Sequence, residues 1–282
     1  MFADAFKLAS NFTRPVIVST KFFDKTVECG CGAFIVINEE GWIITVAHLF
    51  ESLLSYHQHA KEISDFYKSR GSQQDQKSNS QQINPKWITN HSFWWGNDGA
   101  QITDIKLFQE GDLAIGRIEP FDKKTIKNYP VFKNPACLEI GTSLCKLGFP
   151  FHDVKATFNE AKNTFELAPG SVPLPFFPLE GIYTRDVVTG KSKDENHEIR
   201  FLETSSPGLR GQSGGPIFDK NGTIWAVQSR TSHFPLGFSP KINKNGLEIE
   251  ENQFLNVGMG VHIKSILKFL NDNGVKFKVS DN

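Results

Sequence analysis

The chain has 282 residues, of which 39% are hydrophobic and 22% charged, so it can bury a large core and is not globally disordered. Lys and Arg together number 31, and Asp and Glu also number 31, which gives a formal net charge of +0. Because a chain without a basic excess has little with which to neutralise a phosphate backbone, we expect no nucleic-acid partner.

Signals for a membrane or for secretion are not expected either. No window approaches the roughly 18 consecutive apolar residues of a membrane-spanning helix, and Asp4 interrupts the N-terminal stretch that a signal peptide would keep apolar. The four cysteines are too few for a disulfide scaffold and lack a zinc-ligand spacing. We therefore predict free thiols, with a bridge between Cys137 and Cys145 as the alternative. We also expect a cytoplasmic protein with no membrane partner, no metal and no cofactor.

The first third of the chain alternates short β-branched runs with turns. Strands are predicted at 16–20, 33–37 and 42–46, followed by a helix from about Leu49 to Arg70. Residues 69–86 hold five Gln and four Ser in eighteen positions, a composition typical of a solvated, mobile loop.

Strand patterns return at 102–108, 113–118 and 143–149, and again in short runs at 181–188, 198–204, 215–218 and 223–229. Between them, residues 151–180 contain four prolines, which predicts an irregular functional loop rather than a strand. Apolar positions along 262–274 predict a C-terminal helix. Many short strands with one terminal helix indicate an all-β barrel or sandwich.

Three short motifs carry chemistry, and they contain His48, Asp112 and Ser213 in that order. A serine hydroxyl is a poor nucleophile unless an imidazole takes its proton, and the imidazole needs a carboxylate to fix its tautomer. The glycines around Ser213 allow a tight turn in which the amides of Gly211 and Ser213 converge on an oxyanion. Each motif alone is more often structural, and it is their combination that favours catalysis.

At these motifs the sequence resembles the chymotrypsin-like serine peptidases, and within them the bacterial Deg/HtrA branch. The resemblance extends from about Gly30 to Leu270. It rests on GCGAFI at 30–35, GWIITVAH at 41–48, DLAI at 112–115, GFP at 148–150, LRGQSGG at 209–215 and GMGVHI at 258–263.

The resemblance implies an all-β fold of two packed six-stranded antiparallel barrels, with the triad in the cleft between them. We predict one domain over 1–282, whose parts are a first barrel at 13–118 with a helical and low-complexity insertion at 50–100, a connection at 119–136, a second barrel at 137–260 and the C-terminal helix at 261–273. His48 and Asp112 would come from the first barrel and Ser213 from the second. The PDZ module that often follows in the Deg/HtrA branch is not expected.

The resemblance also implies the substrate-binding positions. The residue six before the serine, Pro207, would lie at the pocket base, and Gln228, Ser229, Arg230 and Thr231 would form the opposite wall. Since no carboxylate occurs there, a preference for Arg or Lys is not expected. Arg230 is either a contact for an acidic side chain or an ordinary solvated arginine.

One departure from the family bears on regulation. Gln212 stands where digestive members carry the Asp that pairs with a new N-terminus, so activation by a buried amino group is not expected.

The leading interpretation is a serine endopeptidase that cleaves a protein or peptide substrate through an acyl-enzyme. Two alternatives stay open: an inactive binding module, and a regulated single-target protease that a protein partner switches on.

Overall fold

The fold is mainly β, as predicted. The computed structural model describes residues 2–71, 83–244, 246–250 and 253–281. Its elements in chain order are α1 (Ala3–Phe12), β1 (Thr13–Phe22), β2 (Val27–Val36), β3 (Trp42–Thr45), α2 (Glu51–Gly71), β4 (Ile88–Trp94), β5 (Gln101–Phe108), β6 (Leu113–Glu119), β7 (Val131–Phe132), β8 (Ser143–Gly148), β9 (Ala156–Asn159), β10 (Thr164–Leu167), β11 (Phe177–Lys191), β12 (Glu198–Thr204), β13 (Pro216–Phe218), β14 (Ile224–Pro235), β15 (Lys241–Lys244), β16 (Leu247–Glu250), β17 (Phe254–His262), α3 (Ile263–Asp272) and β18 (Lys278–Val279).

The first sheet contains six antiparallel strands in the order β4-β1-β2-β3-β6-β5. Its buried face carries β-branched and aromatic side chains such as Val16, Phe34, Ile44 and Ile115, each at most 1% exposed. In the described residues no pairing joins the two end strands, β4 and β5.

The second sheet closes on itself. Its order is β13-β8-β11-β12-β17-β14, and β14 pairs back with β13, so these six strands form a ring. The short strands β7 and β18 add to β14 in parallel. One hydrophobic cluster includes side chains of both sheets, so the sheets pack against each other and their facing loops meet.

The sequence prediction for residues 151–180 is wrong in part. This segment contains an antiparallel hairpin, β9 with β10, and β11 begins at Phe177 inside it. The alternation of apolar and polar residues in Ala156–Asn159 and Thr164–Leu167 outweighs the proline content, because the prolines fall outside both strands.

Two further elements, α1 and β4, were not predicted. Helix α1 buries Ala5, Ala9 and Phe12 on one face, against β8 and β13 among others. Strand β4 lies within the predicted 50–100 insertion yet forms an edge strand of the first sheet.

Several other expectations can be compared with the structure. The helix predicted from about Leu49 to Arg70 corresponds to α2, while most of the loop predicted at 69–86 lies outside the described residues. All four cysteines are free. None of the described helices is both long and apolar enough to cross a membrane.

Candidate active site

His48 and Asp112 lie together at the edge of the first sheet. His48 is in a 3-10 turn that follows β3, and Asp112 immediately precedes β6, the neighbour of β3. The ring Nδ1 lies 2.9 Å from Asp112 Oδ2, and the backbone N–H of His48 donates to Oδ1 over 2.9 Å. Asp112 adopts a left-handed φ of +51°, a conformation that aspartate tolerates better than most residues. The carboxylate therefore holds both the ring and the backbone of His48.

The charges in this pair reinforce each other. Burial alone would lower the pKa of His48, but the hydrogen bond and negative charge of Asp112 outweigh it, so the pKa is raised above the ordinary 6.5. Burial alone would raise the pKa of Asp112, but hydrogen bonds from His48 and from Ser229 outweigh it, so this pKa is lowered. Asp112 is thus a carboxylate at neutral pH, and it accepts the Nδ1 proton of the ring.

Ser213 is connected to His48 and Asp112 by hydrogen bonds through Ser229. Ser229 donates its hydroxyl to Asp112 Oδ2, and its carbonyl accepts from Ser213 Oγ over 3.4 Å. Although both residues are described, Ser213 Oγ and His48 do not share a hydrogen bond. Sequence reasoning placed Ser229 in the pocket wall and missed its contact with Asp112, which joins residues 117 positions apart.

The turn that carries Ser213 packs against the first sheet. The carbonyl of Ser213 accepts from Ala33 N over 2.7 Å. Gly214 has a φ of +85°, and a Cβ there would lie 2.0 Å from the carbonyl oxygen of Ala33 and 2.2 Å from Thr45 Oγ1. Only glycine allows this approach, so the turn is fixed by contacts with the opposite sheet.

The amides of Gly211 and Ser213 are available to a ligand. Both residues are described, and neither N–H donates to a protein acceptor. Unpaired N–H groups next to a nucleophile are what an oxyanion needs. The carbonyl of Gly211 accepts from Phe149 N over 2.8 Å, which fixes this peptide unit on the end of β8.

The side chain of Gln212 forms hydrogen bonds that stabilise the same turn. Its side chain is completely buried, Oε1 accepts from Leu209 N over 3.0 Å, and Nε2 donates to the carbonyl of Phe177 over 3.4 Å. A neutral amide therefore makes the internal contacts of this position.

The five predicted substrate-binding residues have different surroundings. Arg230 is exposed and stacks over the Phe201 ring, with 4.3 Å between the guanidinium carbon and the ring centroid. Thr231 donates to the carbonyl of Gly208, while Gln228 is 1% exposed. The carbonyl of Pro207 accepts from the Nζ of Lys146 over 3.0 Å. Lys146 was not predicted, although a lysine within a buried strand such as β8 is itself a signal.

A groove of about 1120 Å³ leads to Gly211 from one side. Its lining includes Cys29 and Cys31 of β2, residues 151–157 and Arg210. The β9–β10 hairpin, which begins inside this segment, is anchored on the first sheet, where Lys21 of β1 pairs with Glu160 over 2.6 Å. Segment 151–157 therefore forms one wall of an open groove. Among the described residues, no cluster of three His, Cys, Asp or Glu side chains is arranged to hold a metal ion.

Comparisons with known structures identify the fold. The Rv3671c protease from M. tuberculosis, in its active form, is 12% identical over 98% of this chain and 86% of that chain, with a TM-score of 0.51. The HtrA-type protease AlgW with tripeptide is 14% identical over 98% of this chain and 65% of that chain, with a TM-score of 0.50. At these identities the likeness shows a shared fold, that of the trypsin-like double β-barrel.

The family follows from the sequence comparison. No curated protein matches the sequence. The model of the trypsin-like peptidase domain matches residues 31–227, which is well over half of the chain and includes all three motif residues. The chain therefore belongs to the trypsin-like peptidase domain family and is a serine protease.

Proposed function

We propose that the chain hydrolyses peptide bonds of a protein or peptide substrate through an acyl-enzyme formed on Ser213. In this proposal His48 is the general base, Asp112 orients it, and the amides of Gly211 and Ser213 hold the oxyanion. The observation that carries the proposal is the position of Ser229, which contacts Asp112 with its hydroxyl and Ser213 with its carbonyl. This one residue connects the groups that three distant motifs supply.

The proposed chemistry follows from the tautomer of His48. Since Asp112 accepts the Nδ1 proton, Nε2 carries the free lone pair and takes the proton of Ser213 Oγ as the oxygen attacks the substrate carbonyl carbon. The resulting oxyanion accepts from the two unpaired amides. His48 then gives the proton to the leaving amine as the C–N bond breaks. In the second half, His48 takes a proton from a water molecule that attacks the acyl carbon, and it returns this proton to Ser213 Oγ as the ester bond breaks.

A rotation of the serine side chain precedes this step. Ser213 Oγ donates to the carbonyl of Ser229 over 3.4 Å, a long and weak hydrogen bond. Breaking it costs little, and catalytic hydrogen bonds often tighten only when substrate binds.

The proposal is tested by labelling with a fluorophosphonate probe. We expect the wild-type protein to label and Ser213→Ala to remain unlabelled. Ser10→Ala is the matched control, because the Ser10 hydroxyl bonds to the carbonyl of Lys7 within α1. His48→Ala should reduce labelling and casein cleavage by several orders of magnitude with unchanged folding.

The outcomes separate the alternatives. Wild-type cleavage that survives in Ser213→Ala would refute the mechanism. A folded wild type that neither labels nor cleaves would favour the inactive binding module. Labelling that appears only after a partner protein is added would favour the regulated protease.

A further inference from the structure

Three segments pack together next to Ser213. Residues 206–208 precede the nucleophile, residues 229–231 lie on β14, and residues 257–259 lie on the paired strand β17. Gly258 N donates to the carbonyl of Ser206 over 2.7 Å, and Thr231 donates to the carbonyl of Gly208 over 2.6 Å. These bonds hold the segments together as walls next to the site.

A lysine enters these walls from β8. The Lys146 side chain is completely buried, and its Nζ donates to the carbonyl and the hydroxyl of Ser206 and to the carbonyl of Pro207. Pro207 is the residue that the family resemblance places at the base of the specificity pocket. The ammonium group therefore lies at that base.

Gly258 marks how closely the ammonium approaches the opposite wall. A Cβ at this position would lie 2.5 Å from Lys146 Nζ and 2.7 Å from the carbonyl oxygen of Ser206. No side chain other than the hydrogen of glycine fits there, so β17 presents bare backbone where the lysine ends.

The ammonium has no counter-ion in the described part of the chain. Its three acceptors are uncharged, and no carboxylate forms an ion pair with it. Buried charges in proteins are usually paired, because removing a charge from water is costly. Burial accordingly lowers the pKa of Lys146 to about 7, and a carboxylate placed beside it would stabilise the charged form.

The mouth of the same region is also positive. Arg230 is exposed and directly follows Ser229, which bonds to Asp112 and to Ser213, so it lies next to the site. Arg210, one residue before Gly211, is exposed and lines the groove. A cation at the base and one at the mouth favour an anionic ligand, and Arg210 adds positive charge in the groove that leads to Gly211.

We propose that Lys146 determines specificity and that the pocket selects substrates with Asp or Glu immediately before the cleaved bond. This inference rests on the proposed peptidase function. The substrate carboxylate accepts from Lys146 Nζ, which gives up one of its bonds to the carbonyls of Ser206 and Pro207. A bond between two opposite charges is stronger than the bond from the ammonium to an uncharged carbonyl that it replaces.

The first test compares peptides that differ only in the residue before the cleaved bond. We expect kcat/KM for Glu to exceed that for Gln and Leu by about 10- to 100-fold, the range of a hydrogen bond between charged groups. In Lys146→Met, which keeps the length and apolar stem of the side chain, the ratio of Glu to Gln should fall to within about threefold. Arg210→Gln is the matched control for a positive charge near Ser213 but outside the pocket, and its effect should be smaller and screened by salt.

The second test does not depend on catalysis or on the folding of Lys146→Met. Product peptides that end in Glu or in Gln are titrated into Ser213→Ala by calorimetry, and we expect the Glu peptide to bind about tenfold more tightly or better. Equal binding, or a wild-type preference for uncharged residues, would overturn the inference. A preference for Gln over Glu would overturn it too and would assign the pocket to Gln228, whose buried Oε1 has no partner.

Probe labelling distinguishes this failure from failure of the proposed function. A protein that labels at Ser213 but does not prefer acidic residues is a peptidase with a different pocket. A protein that does not label but binds the Glu peptide selectively has the pocket without the chemistry.

Discussion

Acid should destabilise the protein through one buried histidine. His262 is completely buried at the junction of β17 and α3, where its Nδ1 accepts from the backbone N–H of Lys264 over 3.0 Å and caps the helix. The proton of the neutral ring is therefore on Nε2, which lies 3.2 Å from Asp186 Oδ1 but without hydrogen-bond geometry. A second proton would have to enter at Nδ1, against the N–H that it now accepts.

The size of the effect follows from the shifted pKa. Burial lowers the pKa of His262 to about 4 from the ordinary 6.5, even though Asp186 raises it, while Arg200 and Lys264 lower it further. The unfolded chain binds a proton at His262 below pH 6.5 and the folded chain only near pH 4. This contribution to stability is thus complete above pH 6.5 and is lost as the pH falls to 4. A tenfold change in proton affinity is worth about 1.4 kcal/mol, so the loss in the free energy of unfolding is roughly 3 kcal/mol.

Urea unfolding at pH 7.5, 6.5, 5.5 and 4 measures this loss. His262→Asn keeps an acceptor for the helix cap but cannot titrate. Its free energy of unfolding should therefore fall by roughly 3 kcal/mol less than that of the wild type between pH 7.5 and pH 4. His233→Asn is the control, because His233 lies exposed on β14. Parallel curves for wild type and His262→Asn would show that His262 is not the titrating group.

Three further predictions concern activity. The pKa of His48 is raised above 6.5, and in the proposed mechanism its neutral ring is the base, so kcat/KM should fall about tenfold per pH unit below that pKa; a profile flat to pH 5 would contradict this. Gln212→Glu keeps an acceptor for the N–H of Leu209 but places a carboxylate oxygen against the carbonyl of Phe177, which repels it. Because this disturbs the turn that carries Ser213, kcat should fall about tenfold with little change in KM, whereas a change confined to KM would implicate the substrate pocket instead. The ring of Phe176 stacks on that of Phe149 with centroids 4.8 Å apart, so Phe176→Ala should lower both the melting temperature and the rate of probe labelling. Phe177→Ala, at a side chain 37% exposed, should change neither, and equal effects of the two variants would contradict a specific role for the contact between Phe176 and Phe149.

Much of the fold could be predicted because its strands have strong local signals. The strands predicted at 102–108 and 113–118 occur at Gln101–Phe108 and Leu113–Glu119, since β-branched residues alternate or cluster there between turns. Helix α1 also had a signal, because Ala5, Ala9 and Phe12 follow the i, i+4, i+7 spacing of one helical face.

The hairpin β9–β10 shows where local rules conflict. Four prolines in 151–180 indicated a loop, but the strands are only four residues long and are stabilised by contacts with the first sheet, including β2. Lys21 of β1 lies over the ring of Phe158, with 4.3 Å between Nζ and the ring centroid. A contact between residues so distant in the chain leaves no mark in either segment alone.

Catalysis and selectivity depend on different kinds of sequence information. The motif residues can be found from the sequence because each stands in a short, recognisable run of neighbouring residues. The partners of Ser229 and Lys146 cannot be found in this way, because they depend on how distant strands pair across the fold. Ser229 bonds to Asp112 and to Ser213, and it precedes Arg230 at the mouth of the proposed pocket. A substitution at Ser229 would therefore disturb the orientation of the base and the shape of the pocket together. Among the residues that the structure describes, the side-chain Nζ of Lys146 bonds only to Ser206 and Pro207. If the proposed pocket is correct, we therefore expect substitution of Lys146 to change selectivity without touching His48, Asp112 or Ser213.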